Sequence, residues 1–243
     1  MLEFRIADGC APTGNLLRHL VGDGPDDGNV GVVCWGRGYA GDEHALNARA
    51  GSANKLQQLQ QFQSAGILTP PFWTQIPTAP GDFPVLGRRL AHHGGNDISL
   101  IMQPSDAALY PSDFYTRYIP RQTEYRSWIY RRRHLGTYEK RLTKPSAYRR
   151  IGANWRNGFH FDLTPSEAVP EALRDLAARS VAVLGLDFGA VDILKGVDGH
   201  FYVLEVNTAP GVEGENRQAI QSLARKIRRW EALGFPRRNG AQE

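Results

Sequence analysis

Three residues in the C-terminal third of the chain, Asp192, Glu205 and Asn207, are of the types and at the spacing that bring side-chain oxygens together. They lie in the stretch LDFGAVDILKGVDGHFYVLEVNTAPG, residues 186–211. Asp198-Gly199 is a two-residue hairpin signal between runs rich in β-branched and aromatic residues. With that turn, Val197 pairs with His200, and counting back along the ladder sets Asp192 directly opposite Glu205. Asn207, two residues further on, shares their face. The other face, Val191, Ile193, Tyr202, Leu204 and Val206, is then a core face. Two carboxylates directly opposite on a sheet lie about 4.5–5.5 Å apart at Cβ and repel. A hard divalent cation offsets that repulsion. A set of Asp, Glu and Asn oxygens suits Mg²⁺, which keeps waters and shares its shell with substrate phosphates. Arginines drawn onto the pair are the other remedy, and the chain is rich in them.

Several elements must position such a site. Leu2–Ala7 reads as a strand, and Asn29–Trp35 as a second, buried one, with Gly22–Gly28 as a turn-rich loop between them. A helix spans Ser52–Ala65, with Leu56, Leu59 and Phe62 on one stripe, Ser52 or Asn54 as its cap and Gly66 as its stop. Phe83–Leu86 is a short strand feeding the loop Gly87–Asp97, and Ile98–Gln103 is another. Tyr110–Ile119 is apolar and ends at Pro120; Glu124–Tyr130 and Leu135–Leu142 alternate like strands. Thr164-Pro165-Ser166-Glu167 has the form of a capping box with proline at the first helical position, predicting a helix from there to Gly185. A last helix is expected over Glu215–Leu233, with Ile220, Leu223, Ala224 and Ile227 inward.

The chain has 243 residues, 41% hydrophobic and 22% charged, enough for a sizeable core in one large or several small lobes. No apolar run reaches membrane-span length, and residues 1–20 do not read as a signal peptide. Cys10 and Cys34 lack metal-ligand spacing, and a reduced, cytoplasmic setting is the default expectation. The net charge of +4 comes mostly from arginine, which grips phosphate and carboxylate in bidentate fashion. That suits a nucleotide or an acidic substrate. The run Arg131-Arg132-Arg133, interleaved with Trp128, Tyr130 and Tyr138, leaves a nucleic-acid patch open, although a solvated strand end is the plainer reading. Arg228-Arg229 and Arg237-Arg238 read as exposed faces.

Taken in order, these motifs resemble the ATP-grasp superfamily of carboxylate–amine ligases over roughly residues 50–215. Asn54-Lys55 opening a helix, followed by AGILTPPF, is similar to the family's DK segment and its Gly-to-Pro-Pro connector. FPVLGRR followed by HHGGNDI resembles its strand and glycine-rich phosphate-covering loop, and FYTRYIP followed by EYR its interlobe linker. Asp192, Glu205 and Asn207 are similar to its metal signature. The resemblance implies an α+β fold, two α+β lobes gripping ATP after a short N-terminal α/β segment. The expected division is 1–53 for that segment, 54–118 for the small lobe, 119–234 for the large lobe and 235–243 for a disordered tail. A first segment this short resembles ATP-grasp proteins encoded by phages and bacteria, and a phage-encoded enzyme would work in the host cytoplasm.

The resemblance also implies roles. Asp192, Glu205 and Asn207 hold one or two Mg²⁺ ions, or Mn²⁺, that bridge the ATP phosphates. Lys55 contacts the phosphates, and Arg88 stands where the family carries a lysine. Gly94 and Gly95 let backbone amides approach phosphate oxygens, with His92 and His93 as loop neighbours. Tyr118 and Ile119 line the adenine pocket with backbone groups, and Glu124 is similar in position to the carboxylate that holds the ribose hydroxyls. Arg126 and Arg141 steady phosphate or an acyl-phosphate, and Asn154 and Arg156 form a substrate-side loop. Each of these could instead be a salt-bridge partner on a charged face. The activity implied is formation of an amide bond between a carboxylate, carried by a small molecule, amino acid or peptide, and an amine, through an acyl-phosphate. A phosphotransferase without ligation and a non-catalytic binding protein are the alternatives. On this reading Asp192→Ala or Glu205→Ala abolishes turnover and leaves the fold intact.

Overall fold

The computed structural model describes residues 1–22, 30–40, 44–90, 98–143, 158–211 and 217–236. The first unit is a three-stranded parallel sheet of β1 (Leu2–Ile6), β2 (Gly31–Trp35) and β3 (Ala45–Leu46). Between β1 and β2 runs a helix, α1 (Ala11–Val21), that the sequence reading did not contain. Pro12 and Gly14 disguise it. Pro12 sits in its first turn, where a missing N–H costs nothing. Gly14 begins the buried stripe Gly14, Leu17, Val21. A Cβ there would lie 2.7 Å from the Ile6 side chain, so the glycine is the condition for helix and strand to touch.

Next comes α2 (Lys55–Ser64), capped by Asn54 in a full capping box with Gln57. A four-stranded sheet follows, in the order β4-β7-β5-β6, from β4 (Phe72–Trp73), β5 (Val85–Arg88), β6 (Ile98–Ile101) and β7 (Phe114–Arg117). The third sheet is antiparallel and five-stranded. It comprises β8 (Arg121–Tyr130), β9 (Arg133–Leu142), β10 (Phe159–Thr164), then, after α3 (Glu171–Val183), β11 (Phe188–Gly196) and β12 (Phe201–Asn207), in the order β10-β9-β8-β11-β12. One face carries Ile129, Val191, Ile193, Val203 and Val206 against α3. Phe62 of α2 belongs to the same cluster, so α2 packs on this large sheet although it precedes the small one in the chain. The other face, with Trp128, Tyr138 and Phe161, is covered by α4 (Arg217–Ala232), α1 and Trp35.

Two expectations change. The capping box at Thr164 is not one: Thr164 ends β10, Ser166–Ala168 form a single 3₁₀ turn, and α3 starts only after Pro170. Pro170 has no N–H for the carbonyl of Ser166 and would clash with it, so no helix runs through that point. The tail does not loosen at residue 235. Phe235 is buried against Trp230, with ring centroids 5.0 Å apart, in space that Gly31 leaves by having no side chain. The Pro236 carbonyl accepts from Trp230 Nε1 and Arg131. Residues 237–243 lie outside the described ones, as do the loop 23–29, Arg237-Arg238 and His92-His93. The rings of Trp128, Tyr130 and Tyr138 are 1%, 7% and 0% exposed, so they offer no surface on which bases could stack. Among the described residues no helix is long and apolar enough to cross a membrane.

Asn47 joins the N-terminal sheet to the large one. It is fully buried at φ 57°; its Oδ1 accepts from the amides of Asp187 and Phe188, its Nδ2 donates to the Phe188 carbonyl, and its own amide donates to Asp187 Oδ2. Asp187 also takes Arg131 at 3.1 Å. Asn47→Ala strands three buried backbone groups and puts a Cβ-bearing apolar residue in the left-handed region. It is expected to cost about 3 kcal/mol or more, read by urea unfolding. A loss below about 1 kcal/mol, the worth of one ordinary hydrogen bond, would refute this role.

Candidate active site

The hairpin of β11 and β12 does set Asp192 opposite Glu205, but not by the count that led there. The turn is a three-residue loop: Gly196 N–H donates to the His200 carbonyl, Gly199 N–H to that of Gly196, and Gly199 has φ 84°. Lys195 then pairs with Phe201 and Ile193 with Val203. One residue of slip follows between Ile193 and Asp192, a bulge at Leu204, and Asp192 meets Glu205. The two offsets cancel. Between turn and bulge, however, the faces are exchanged relative to expectation. Val203 is the buried core residue, whereas Tyr202 pairs with Leu194 on the face of Asp192.

Both carboxylates already have cations. Asp192, 7% exposed, is held by Arg126 in a two-toothed grip, Nε to Oδ1 and Nη2 to Oδ2 at 2.8 Å each, and by Lys140 Nζ at 3.1 Å. Lys140, 2% exposed, also lies 2.5 Å from Glu124 Oε1, and Arg121 lies 3.4 Å from Glu124 Oε2. Lys55 Nζ is 2.6 Å from Glu205 Oε2. Asn207 turns its amide nitrogen to Glu205 Oε1 at 3.2 Å and to Asp192 Oδ2 at 3.5 Å, as an amide must when it faces two anions. Phe161, opposite Lys140 on β10, roofs the cluster, its ring 5.0 Å from the Arg126 guanidinium.

The electrostatics follow from this geometry. Burial pushes the Asp192 carboxyl up, but the charges of Arg126 and Lys140 and their hydrogen bonds overcome it and hold Asp192 well below the usual carboxylate range. Burial, with the charge of Asp192, opposes ionisation of Glu205, and the charge and hydrogen bond of Lys55 together with the charge of Arg88 outweigh them, so this carboxyl too lies below its ordinary value. Arg88 reaches the site from β5. Its Nε is buried and has no hydrogen-bond partner among the described residues, and burial lowers its pKa against the pull of Glu205 and then Glu124. Among the described residues, three carboxylates (Asp192, Glu205, Glu124) thus face Lys55, Arg88, Arg121, Arg126 and Lys140. The excess is positive, and one of the cations has a donor to spare.

Lys55, Arg88, Glu124, Arg126, Asp192, Glu205 and Asn207 come together here. Arg141 does not. Strand alternation turns it to the opposite face, 60% exposed, where it pairs with Glu139 and Asp162. Its neighbour Lys140 takes the place the sequence reading gave to Arg141. Glu124 meets Lys140 and Arg121 rather than an open wall. Tyr118 and Ile119 line a pocket of about 390 Å³ with Leu68, Pro71, Val197 and Tyr202, whose hydroxyl donates to Asp198. Tyr118 N–H is spent on the Pro84 carbonyl. Gly94, Gly95, Asn154 and Arg156 lie outside the described residues. The all-oxygen donor set of Asp192, Glu205 and Asn207 fits a hard cation once the Asn207 amide rotates and Lys55 moves aside.

The pairing changes what substitution does. Asp192→Ala removes the partner of two buried cations. It is expected to cost the fold about 3–5 kcal/mol as well as activity, whereas Glu205→Gln, beside the more open Lys55, spares most of the stability. Both carboxyls lie below their ordinary values of 3.8 and 4.5, so their stabilisation is whole above those values and is lost as the pH falls below them. Urea midpoints measured from pH 6 to pH 3 should therefore fall more steeply for the native chain than for Asp192→Asn. Parallel curves would contradict the pairing.

No family model matches the chain. Ribosomal protein bS6–L-glutamate ligase of Salmonella newport is 37% identical over 68 residues, 28% of this chain and 20% of the relative; the match spans about a fifth of such curated relatives. Among solved structures, the macrocyclase MdnC bound to precursor peptide MdnA from Microcystis aeruginosa MRC superposes with TM-score 0.63 at 14% identity, over 93% of this chain and 98% of that one. The ATP-grasp ligase PsnB, complexed with minimal precursor, Mg and ADP, gives 0.58 at 14% identity, over 79% and 62%. On these superpositions the chain has the ATP-grasp fold.

Proposed function

We propose that the protein is an ATP- and Mg²⁺-dependent carboxylate–amine ligase acting on a peptide or protein carboxylate. The observation that carries this is the buried Nε of Arg88, which has no hydrogen-bond partner among the described residues, in a site where those residues set five cations against three carboxylates. A polyanion bound there supplies that partner and balances the charge. Lys55 and Arg88 hold the nucleotide phosphates from α2 and β5. The base lies in the pocket lined by Tyr118 and Ile119. Asp192, Glu205 and Asn207 would hold the metal, which would supply neutralisation of charge developing on the transferred phosphoryl group. Arg126 and Lys140 keep Asp192 ionised and fixed.

Phosphoryl transfer to the substrate carboxylate gives an acyl-phosphate and ADP. An amine then attacks the acyl carbon, phosphate leaves, and an amide bond forms. No protein nucleophile is required, and catalysis rests on positioning and charge stabilisation. The peptide character of the substrate is taken from relatives: MdnC and PsnB are complexed with precursor peptides, and the curated relative joins glutamate to a ribosomal protein.

The test is ADP release from Mg-ATP across a panel of peptides and amino acids, with mass spectrometry for condensed products and hydroxylamine as a trap. A hydroxamate formed with the right acid is expected. ADP release with a stable phosphorylated product and no hydroxamate would mean phosphotransfer alone. Arg88→Met should raise KM for ATP by about tenfold to a hundredfold, the loss of one charged hydrogen bond. An unchanged KM would place the phosphates elsewhere.

A further inference from the structure

β12 is the outer strand of the large sheet, so its outward amides and carbonyls have no strand to meet. Two of them, both on Val206, meet one side chain. Gln58 Oε1 accepts from Val206 N–H at 2.9 Å, and Gln58 Nε2 approaches the Val206 carbonyl at 3.4 Å. A single glutamine thus imitates the neighbouring strand at one residue. Val206 is flanked by Glu205 and Asn207, whose side chains point into the site, while its own side chain is buried in the core. Any twist of the strand at Val206 therefore re-aims both oxygen donors.

Gln58 has a second connection. It lies three residues after Lys55 on α2, and residues three apart share a helix face. Lys55 reaches Glu205 at 2.6 Å from that same face. Leu59 and Phe62 bury the helix on the sheet but fix neither its sliding nor its rotation to hydrogen-bond precision. The Gln58–Val206 bonds do, because they have direction. Lower down, the Leu68 carbonyl takes Val203 N–H beside the Leu204 bulge, so the two contacts bracket the stretch that carries Glu205.

We infer that Gln58 is a positioning residue that sets Glu205 and Asn207 for the metal and Lys55 for the phosphates in one act. The inference rests on the nucleotide reading above and adds a residue that the site motifs do not contain. Partners of this indirect kind are worth about tenfold to a hundredfold in metal affinity.

The experiment is titration of the full chain with Mn²⁺ in the presence of ADP, free Mn²⁺ being read by electron paramagnetic resonance. Gln58→Met keeps the shape and helix propensity and removes both bonds to Val206, together with the 3.4 Å bond from Nε2 to the Ala53 carbonyl at the start of the helix. It should bind Mn²⁺ about tenfold more weakly than the native chain, with faster hydrogen exchange at the Val206 amide and an unchanged circular dichroism spectrum. Gln60→Met, the same change at an exposed position of the same helix, should bind like the native chain. Native affinity in Gln58→Met, with the Val206 amide exposed to exchange, would overturn the role of Gln58 and leave the nucleotide reading standing. Absence of Mn²⁺ binding in the native chain would overturn both. Equal weakening in Gln60→Met would mark the effect as one of helix stability and refute positioning.

Discussion

Two carboxylates facing each other across a ladder, Asp192 buried and Glu205 half-buried, set the terms for the rest of this molecule. Neither could stay ionised there alone. Asp192 does so because Arg126 stands beside it on β8 and Lys140 reaches it from β9, and Glu205 because α2 delivers Lys55. Each partner comes from a different element. The order of strands, the docking of α2 on β12 and the cover of Phe161 are therefore all needed to keep one pair of negative charges in place. Such an arrangement is weak as a source of stability, since apolar packing would serve as well. Its retention makes sense if the same charges have another use.

That use follows from how unevenly the cations are committed. Arg126 is locked to Asp192 by two parallel bonds and roofed by Phe161, so it serves the carboxylate. Lys55 pairs with Glu205 at the end of a flexible stem, and among the described residues the Arg88 Nε has no hydrogen-bond partner. The first group is fixed and the second can be recruited by an incoming anion. A site with some charges held and others available can admit phosphates without first breaking its own foundation.

Much of this was legible in the residues. The types at 192, 205 and 207, the capped helix opening with Lys55 and the core stripe of the last helix all follow from short-range rules. What was not legible has one recurring cause. The β8–β9 and β11–β12 hairpins each contain a bulge, and alternation alone cannot reveal an extra residue. In β11 and β12 the three-residue loop cancels the bulge, so Asp192 and Glu205 still meet. In β8 and β9 the turn is the tight pair Arg131-Arg132, both with positive φ, and nothing cancels the extra residue near Leu135. Counted from the turn, Arg126 would share a face with Arg141; with the slip between Trp128 and Ile129 it shares one with Tyr138 and Lys140. The helix α1 was hidden for a different reason, because Gly14 lowers local propensity in exchange for contact with Ile6, a gain that only the folded chain reveals.

The N-terminal sheet bears on the site through this same geometry. The Thr208 carbonyl, one residue past Asn207, accepts from Gly36 N–H at the end of β2. A side chain on Gly36 would collide with Ala209, at 2.9 Å from the would-be Cβ, and with Ala7 at the end of β1. The first sheet therefore presses directly on the segment that leaves the site, while Asn47 ties its other side to the start of β11. Both strands of the hairpin that carries Asp192 and Glu205 are in this way held at the ends where they meet the N-terminal unit. Its opposite end is pinned by Val197 to the Pro120 carbonyl of the linker. A hairpin fixed at both ends can hold two like charges in register, and the N-terminal sheet is then part of the frame of the site.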